Sequence, residues 1–204
     1  MKKLFLICVI GYAVFYFWGQ EGGGVLSIDP ASSTSHKVWQ EPKQKNLSGR
    51  SQKPFKSGHL KLLAEYEITA RVLASKYYSD GKNATIAPLD LAVGWGQMAD
   101  PGVYNRIQIT QSNRFYRWWT SKYPIPRRNI ESKSVNMHII PANAEIAKKL
   151  KSAKKHKILT MKGYLVHYRE GNSRNWWEWK SSMVRTDTGD GACELMYVED
   201  IVLY

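Results

Sequence analysis

Cys193 and His138 are the residues of this chain best suited to covalent chemistry. A thiol beside an imidazole can form a thiolate nucleophile, and the histidine can return the proton to a leaving group. Asp187, Asp190 or Asn136 could orient that histidine. Such a site would be a hydrolase or transferase, with Cys193, His138 and Asp187 as its catalytic residues. Each has a plainer reading too. Cys193 precedes an alternating apolar pattern (Leu195, Tyr197) and suits a strand core, while His138 stands in an apolar string and suits a structural histidine. The second cysteine, Cys8, lies inside an N-terminal apolar run, so Cys193 has no partner for a disulfide within the exported part. It is buried, reactive, or paired between chains.

The segment Asp187-Thr188-Gly189-Asp190-Gly191 offers paired aspartates that could wrap a hard cation. Its spacing is not that of an EF-hand, and Glu194 comes too early to close the loop. A tight turn between strands explains the same residues. No HExxH, paired CxxC, GxSxG or Walker loop occurs, so neither a metal site nor a cofactor is expected.

A second chemistry is recognition. From Arg114 to Arg128 cations alternate with aromatics: Arg114, Phe115, Tyr116, Arg117, Trp118, Trp119, Lys122, Tyr123, Arg127 and Arg128. Aromatic faces can stack on bases or sugars while the cations hold anionic groups. Arg114, Arg117, Trp118, Trp119, Lys122, Arg127 and Arg128 are the expected ligand-binding residues. Trp177 joins them from the Trp176, Trp177, Trp179 cluster, where Trp177 and Trp179 share one face of a strand. The competing reading places these aromatics in the core. Gly94-Trp95-Gly96 is likewise either a ligand platform or a packed corner.

Charge supports recognition of an anion. The net charge is +13, and all 30 basic residues lie within residues 1–185, with 12 of the 17 acidic ones. Such a field attracts and steers polyanions. Basic side chains also crowd the segment from Lys37 to Lys56 and the stretch Lys148, Lys149, Lys151, Lys154, Lys155, His156, Lys157. The first suits contact with an anionic membrane surface. The second suits a helix C-terminus, a solvated face or the extension of a basic groove.

The elements that must position these residues begin with an address. Lys2 and Lys3 precede an uncharged apolar run from Leu4 to Trp18. Fifteen residues are fewer than the about 20 that a spanning helix uses, and no convincing cleavage site follows. Residues 1–19 therefore read as a signal-anchor in preference to a cleaved signal peptide, with the remainder outside the cytoplasm. That is the cell envelope: single-pass in the inner membrane, or periplasmic if the segment is cleaved. Residues 20–54, rich in Gly, Ser, Lys, Gln and Pro, read as a flexible basic tether.

Residues 55–204 read as one basic, mostly β domain of α+β composition. Tyr66, Ile68, Ala70 and Val72 alternate with charged and polar residues as in a half-buried strand. Further strands are expected at 86–95, 107–109, 137–140, 158–168, 177–184 and 194–203, and 115–120 reads as strand or helix. A helix capped by Asn143 is expected over 142–150. The order strand, helix, strand, strand, strand, preceded by further strands, resembles a small OB-like barrel with one helix, in which Gly163 permits a bulge. The strings Asn136–Ala142 (NMHIIPA) and Thr186–Glu194 (TDTGDGACE) resemble hypothetical bacterial envelope proteins without assigned function. That resemblance implies a bacterial source and no particular reaction.

Three functions fit these observations. The first is a membrane-anchored, externally exposed module that binds an anionic polymer: nucleic acid, envelope polymer or anionic lipid. The second is a structural or interaction subunit of an envelope complex. The third is a Cys–His hydrolase or transferase acting on envelope material.

Overall fold

The computed structural model describes residues 36–48, 50–187 and 191–204. The expected membrane segment, the tether up to residue 35, and Asp190 lie outside the described residues. Among the described residues no helix is long and apolar enough to cross a membrane.

The fold is mostly β. Ten strands run in chain order: β1 (Lys43–Asn46), β2 (Gln52–Phe55), β3 (Gly58–Tyr77), β4 (Leu89–Gly94), β5 (Gln108–Ser112), β6 (Phe115–Trp119), β7 (Ser134–Pro141), β8 (Ile158–Gly171), β9 (Trp176–Lys180) and β10 (Glu194–Leu203). Short helices are α1 (Lys82–Ile86), α2 (Pro101–Tyr104), α3 (Arg127–Ser132) and α4 (Ala144–Leu150), with a 3-10 turn at Gly96–Ala99.

Five strands close a ring in the order β3, β4, β7, β10, β8 and back to β3. The β7–β10 pair is parallel and the other four are antiparallel. β1 and β2 extend the ring from β3, and β9 extends it from β8. β5 and β6 form a separate hairpin inserted between β4 and β7.

Alternation in β3 explains the closure. Ala64, Tyr66, Ile68, Ala70 and Val72 are buried and face the ring interior, with Met137, Ile139, Met161, Met196 and Val198 from the other strands. Register shifts between Leu62 and Ala64 and between Val72 and Ala74 reverse the buried face twice. Leu60 therefore packs outside the ring with Val166 and Tyr168, and Leu73 packs with Met98 and Ile130. One strand thus serves three apolar clusters, each fully buried leucine or isoleucine contributing about 1.5–3 kcal/mol.

α4 plugs the ring with Ile146 and Leu150, and the Asn143 side chain accepts from the Ile146 N–H at 3.0 Å. Trp95 is fully buried in the ring and donates from Nε1 to Glu41 at 2.9 Å. It is a packed corner and not a ligand platform. The bulge expected at Gly163 belongs to the facing strand: Val198 pairs with Gly163 and Asp200 with Lys162, leaving Glu199 as the extra residue. Gly163 is needed for close approach, since a Cβ there would lie 2.0 Å from the Tyr197 carbonyl oxygen.

The flexible tether expected over residues 20–54 is shorter than the sequence suggested. Residues 36–48 and 50–54 pack on the barrel through Val38, which is buried, and through β1 and β2. Their composition is polar because these strands use backbone pairing to β3 and contribute few side chains to the core.

Candidate functional site

Strand β7 has two characters. Val135, Met137 and Ile139 point into the ring, so Ser134, Asn136 and His138 share its outer face. The β5–β6 hairpin lies over that face. Tyr116 Oη and Ser134 Oγ are 2.6 Å apart, and Gln111 Nε2 donates to Asn136 Oδ1 at 2.7 Å. Burial pushes the Tyr116 hydroxyl up to about 12. The hairpin turns through Asn113 and Arg114, both with positive φ, as a two-residue hairpin loop requires.

Arg114 tolerates that backbone because its side chain is held from several directions. Nη1 donates to Asp90 Oδ1 and to the Ala87 carbonyl, both at 2.8 Å, and the guanidinium lies 3.8 Å from the Tyr78 ring centroid. Asp90 Oδ1 also accepts from His138 Nδ1 at 2.8 Å, and the His138 ring packs 4.6 Å from Trp179. Asp90 is fully buried and His138 is 3% exposed. Arg114, expected to meet a ligand, instead locks the hairpin to β4.

Beside this knot, the hairpin, β7 and the residues Arg185, Asp187, Ala192 and Cys193 enclose a cleft of about 600 Å³. Its base contains Ser134, Val135, Asn136 and Cys193. Phe115, Arg117, Trp118 and Trp119 of β6 form one wall, and Tyr123, Arg127 and Glu131 extend it. Arg185 and Asp187 form the opposite side. Alternation along β6 exposes Phe115, Arg117 and Trp119, with Trp119 at 64% exposure, while Trp118 packs partly on the cluster around Ile130. Arg127 pairs with Glu131 at 2.8 Å and approaches the Trp118 ring at 5.9 Å. Asp187 accepts from Ser182 Oγ at 2.6 Å, and Arg185 donates to the Pro42 carbonyl at 2.9 Å.

Cys193 and Asp187 reach the same cleft, whereas His138 does not join them. The Cys193 thiol lies 3.8 Å from the Asn136 amide and 3.9 Å from the Arg114 carbonyl. No hydrogen bond links it to His138, whose Nδ1 is engaged by Asp90. Burial chiefly, with nearby carboxylates, pushes the thiol up to about 11, despite the opposing Asn136 hydrogen bond. It is a protonated thiol at neutral pH. Among the described residues no three His, Cys, Asp or Glu side chains are grouped to hold a metal ion.

The other expected ligand residues separate. Arg117, Trp118, Trp119 and Arg127 line the cleft; Lys122 and Arg128 are exposed on the following turn and helix α3. Trp177 lies elsewhere. With Trp179 it covers the outer cluster around Tyr168, and Lys82 Nζ sits 4.6 Å above its ring. Ser134, Asn136 and Arg185 complete the cleft without having been singled out as ligand residues. The alternation of Ser134, Asn136 and His138 in an otherwise apolar strand was the available signal for a polar outer face.

Glu194 occupies a second buried position, on the inward face of β10. It is 2% exposed, Oε2 has no partner, and desolvation raises its carboxyl well above the usual range. Tyr66 Oη is also without a partner, and burial raises its hydroxyl as well.

No family model, no curated protein and no solved structure is matched significantly by this chain.

Proposed function

We propose that this chain is a binding module that holds an anionic polymer in the cleft between the β5–β6 hairpin and the residues Arg185, Asp187, Ala192 and Cys193. Arg117 with the exposed rings of Phe115 and Trp119, on one wall, is the observation that carries the reading. Exposed aromatic faces beside guanidinium groups bind strands of rings that carry negative charge, by stacking and by charge-assisted hydrogen bonds. Arg127 and Arg185 add charge, and Ser134 and Asn136 supply hydrogen-bonding groups at the base.

The ring order supports the same reading. Numbered along the chain, the barrel strands run 1-2-3-5-4-1, with a parallel 3–5 pair and a helix between strands 3 and 4. We read this as an OB-like barrel. Such barrels bind oligonucleotides and oligosaccharides on the face of strands 2 and 3 and on the 1–2 and 4–5 loops. Here β5–β6, inserted between strands 2 and 3, covers that face. The open surface is displaced to the junction of the hairpin with the 4–5 connection, where the cleft lies. Residues 4–18, as an anchor, would hold the module at the membrane, outside the cytoplasm.

Salt-dependent titration tests the proposal. The chain is titrated with single-stranded oligothymidylate, duplex DNA and heparin over a range of salt. Three arginines at the cleft predict a slope of log affinity against log salt near about −2 for the single strand. Arg117→Ala is expected to flatten that slope by about 0.7. Trp119→Ala is expected to weaken binding by about 1–3 kcal/mol with the slope retained. Absence of binding to all three ligands at low salt, or binding indifferent to both substitutions, refutes the site.

A further inference from the structure

Two sets of lysines on this barrel contrast, while Lys56, Lys61, Lys76 and Lys180 belong to neither. Lys43, Lys45, Lys53 and Lys162, on β1, β2 and β8, each stand 2.9–4.0 Å from a carboxylate. Six more lie on α4 and the loop after it: Lys148, Lys149, Lys151, Lys154, Lys155 and Lys157, all exposed. Among the described residues, Lys149 alone of these six has an ion-pair partner, Glu145 at 2.9 Å. One end of the fold therefore carries cations that its own carboxylates leave unneutralised.

That loop is bonded to the place where the chain joins the fold. Arg71 Nη1 donates to the His156 carbonyl at 2.7 Å, and its Nε donates to the Ala99 carbonyl at 2.6 Å. Ala99 closes the 3-10 turn that starts at Gly96, and Gly96 N–H donates to the Val38 carbonyl at 2.8 Å. One arginine side chain and one turn thus separate the lysine loop from Val38. Beside Val38 stand Lys37, which is exposed, and Trp39, which is 54% exposed. Tyr77, 40% exposed, lies under Lys154 with the ammonium 5.7 Å from its ring centroid. Tryptophan and tyrosine beside lysine are the residues that settle at a membrane–water interface.

We infer that this end of the barrel lies against an anionic bilayer, with Lys148, Lys151, Lys154, Lys155 and Lys157 on the headgroups and Trp39 and Tyr77 at the interface. The inference rests on the reading of residues 4–18 as a membrane segment. Residues 18 and 36 can lie at most about 60 Å apart, so the fold stays within reach of the bilayer, and the lysine loop with its exposed aromatics is the face whose chemistry suits that surface. The apolar run is also short for a spanning helix, and a polybasic surface supplies the second attachment that a marginal anchor needs.

Two single-cysteine forms of the full chain test this, each carrying Cys8→Ser and Cys193→Ser. Ser152→Cys places a fluorophore in the lysine loop, and Ser173→Cys places one at the far end of β8. Each is assembled into nanodiscs of phosphatidylcholine alone, or of equal parts phosphatidylcholine and phosphatidylglycerol, with a headgroup-level quencher lipid. The Ser152→Cys label is expected to be quenched in the anionic discs and the Ser173→Cys label is not. Each lysine is worth about fivefold in docking. Joint replacement of Lys151, Lys154, Lys155 and Lys157 by glutamine should therefore abolish the quenching, as should about 0.5 M salt, where the screening length is about 4 Å. The glutamine form should keep the circular-dichroism spectrum and melting temperature of its single-cysteine parent, showing that it is folded.

An unquenched Ser152→Cys label in anionic discs overturns the inference, as does equal quenching in neutral discs, in the glutamine form, or at Ser173→Cys. A chain that leaves the discs altogether in high salt refutes the membrane segment itself. Either result leaves the cleft titration to stand or fall separately.

Discussion

Replacing Arg114 by alanine separates a structural arginine from a ligand-binding one. Its side chain is 15% exposed, and Asp90 opposite is 1% exposed. Arg114→Ala removes charge-assisted bonds to Asp90 and to the Ala87 carbonyl, each worth about 1.5–3 kcal/mol. It also removes a cation–π contact with Tyr78 worth about 0.5–2 kcal/mol. These do not simply add, because the dominant cost is a carboxylate left buried with His138 as its remaining side-chain partner. Breaking a buried pair from one side costs about 3–5 kcal/mol, and that is the expected loss. Equilibrium urea unfolding followed by tryptophan fluorescence measures it. The double variant Arg114→Ala with Asp90→Ala should be markedly less destabilised than the two single losses summed. A loss below about 1 kcal/mol, accompanied by collapse of oligothymidylate binding, would refute the argument and return Arg114 to the ligand site.

Three further outcomes follow from the same geometry. Glu194 has a raised carboxyl in the fold, so above the ordinary carboxylate range the folded state binds more protons than the unfolded state, and stability falls as pH rises. Glu194→Gln should therefore stabilise the protein at pH 7 with the advantage vanishing near pH 4; melting curves showing no pH-dependent difference would contradict this. Cys193, held near 11, should react with iodoacetamide slowly at pH 7.5 and accelerate only in strong alkali; fast alkylation at neutral pH would show an activated thiolate. Gly163→Ala should cost at least about 3 kcal/mol, since its Cβ meets backbone and not a movable side chain; a melting temperature like that of the wild type would show that β8 and β10 separate easily there.

Much of the barrel was legible because its strands obey a two-residue rhythm. Glu194–Leu203 has the expected bounds, and Asn143 caps α4 as read. Of residues 115–120, open between strand and helix, Phe115–Trp119 form a strand because Tyr116 and Trp118 pack beneath while Phe115, Arg117 and Trp119 stay out. Residues 43–46 and 52–55 escaped notice because edge strands that pair through backbone need no apolar pattern. The structural partners of Arg114 were hidden for a different reason. A cation among aromatics looks like a ligand contact, and only the fold brings Asp90, 24 residues away, beneath it. Trp177 was similar: its partners Tyr168 and Lys82 come from β8 and α1. Cys193 and His138 shared a plausible chemistry, but along the outer face of β7 His138 lies against Asp90 while Asn136, two residues earlier, lies against the thiol.

The position of β10 has a consequence for how the chain is made. It is the last strand in sequence, yet it sits between β7 and β8 in the ring. The β3–β8 seam is equally remote: Thr69 and Thr160, whose hydroxyls share a 2.8 Å hydrogen bond, are 91 residues apart. Until residues 194–203 have emerged, β7 and β8 each present an unpaired edge, a template for pairing with another chain. Distant pairings of this kind also form slowly. A nascent copy therefore passes through an aggregation-prone interval that ends only when β10 is delivered, and truncation within β10 should yield insoluble protein in place of a weakened barrel.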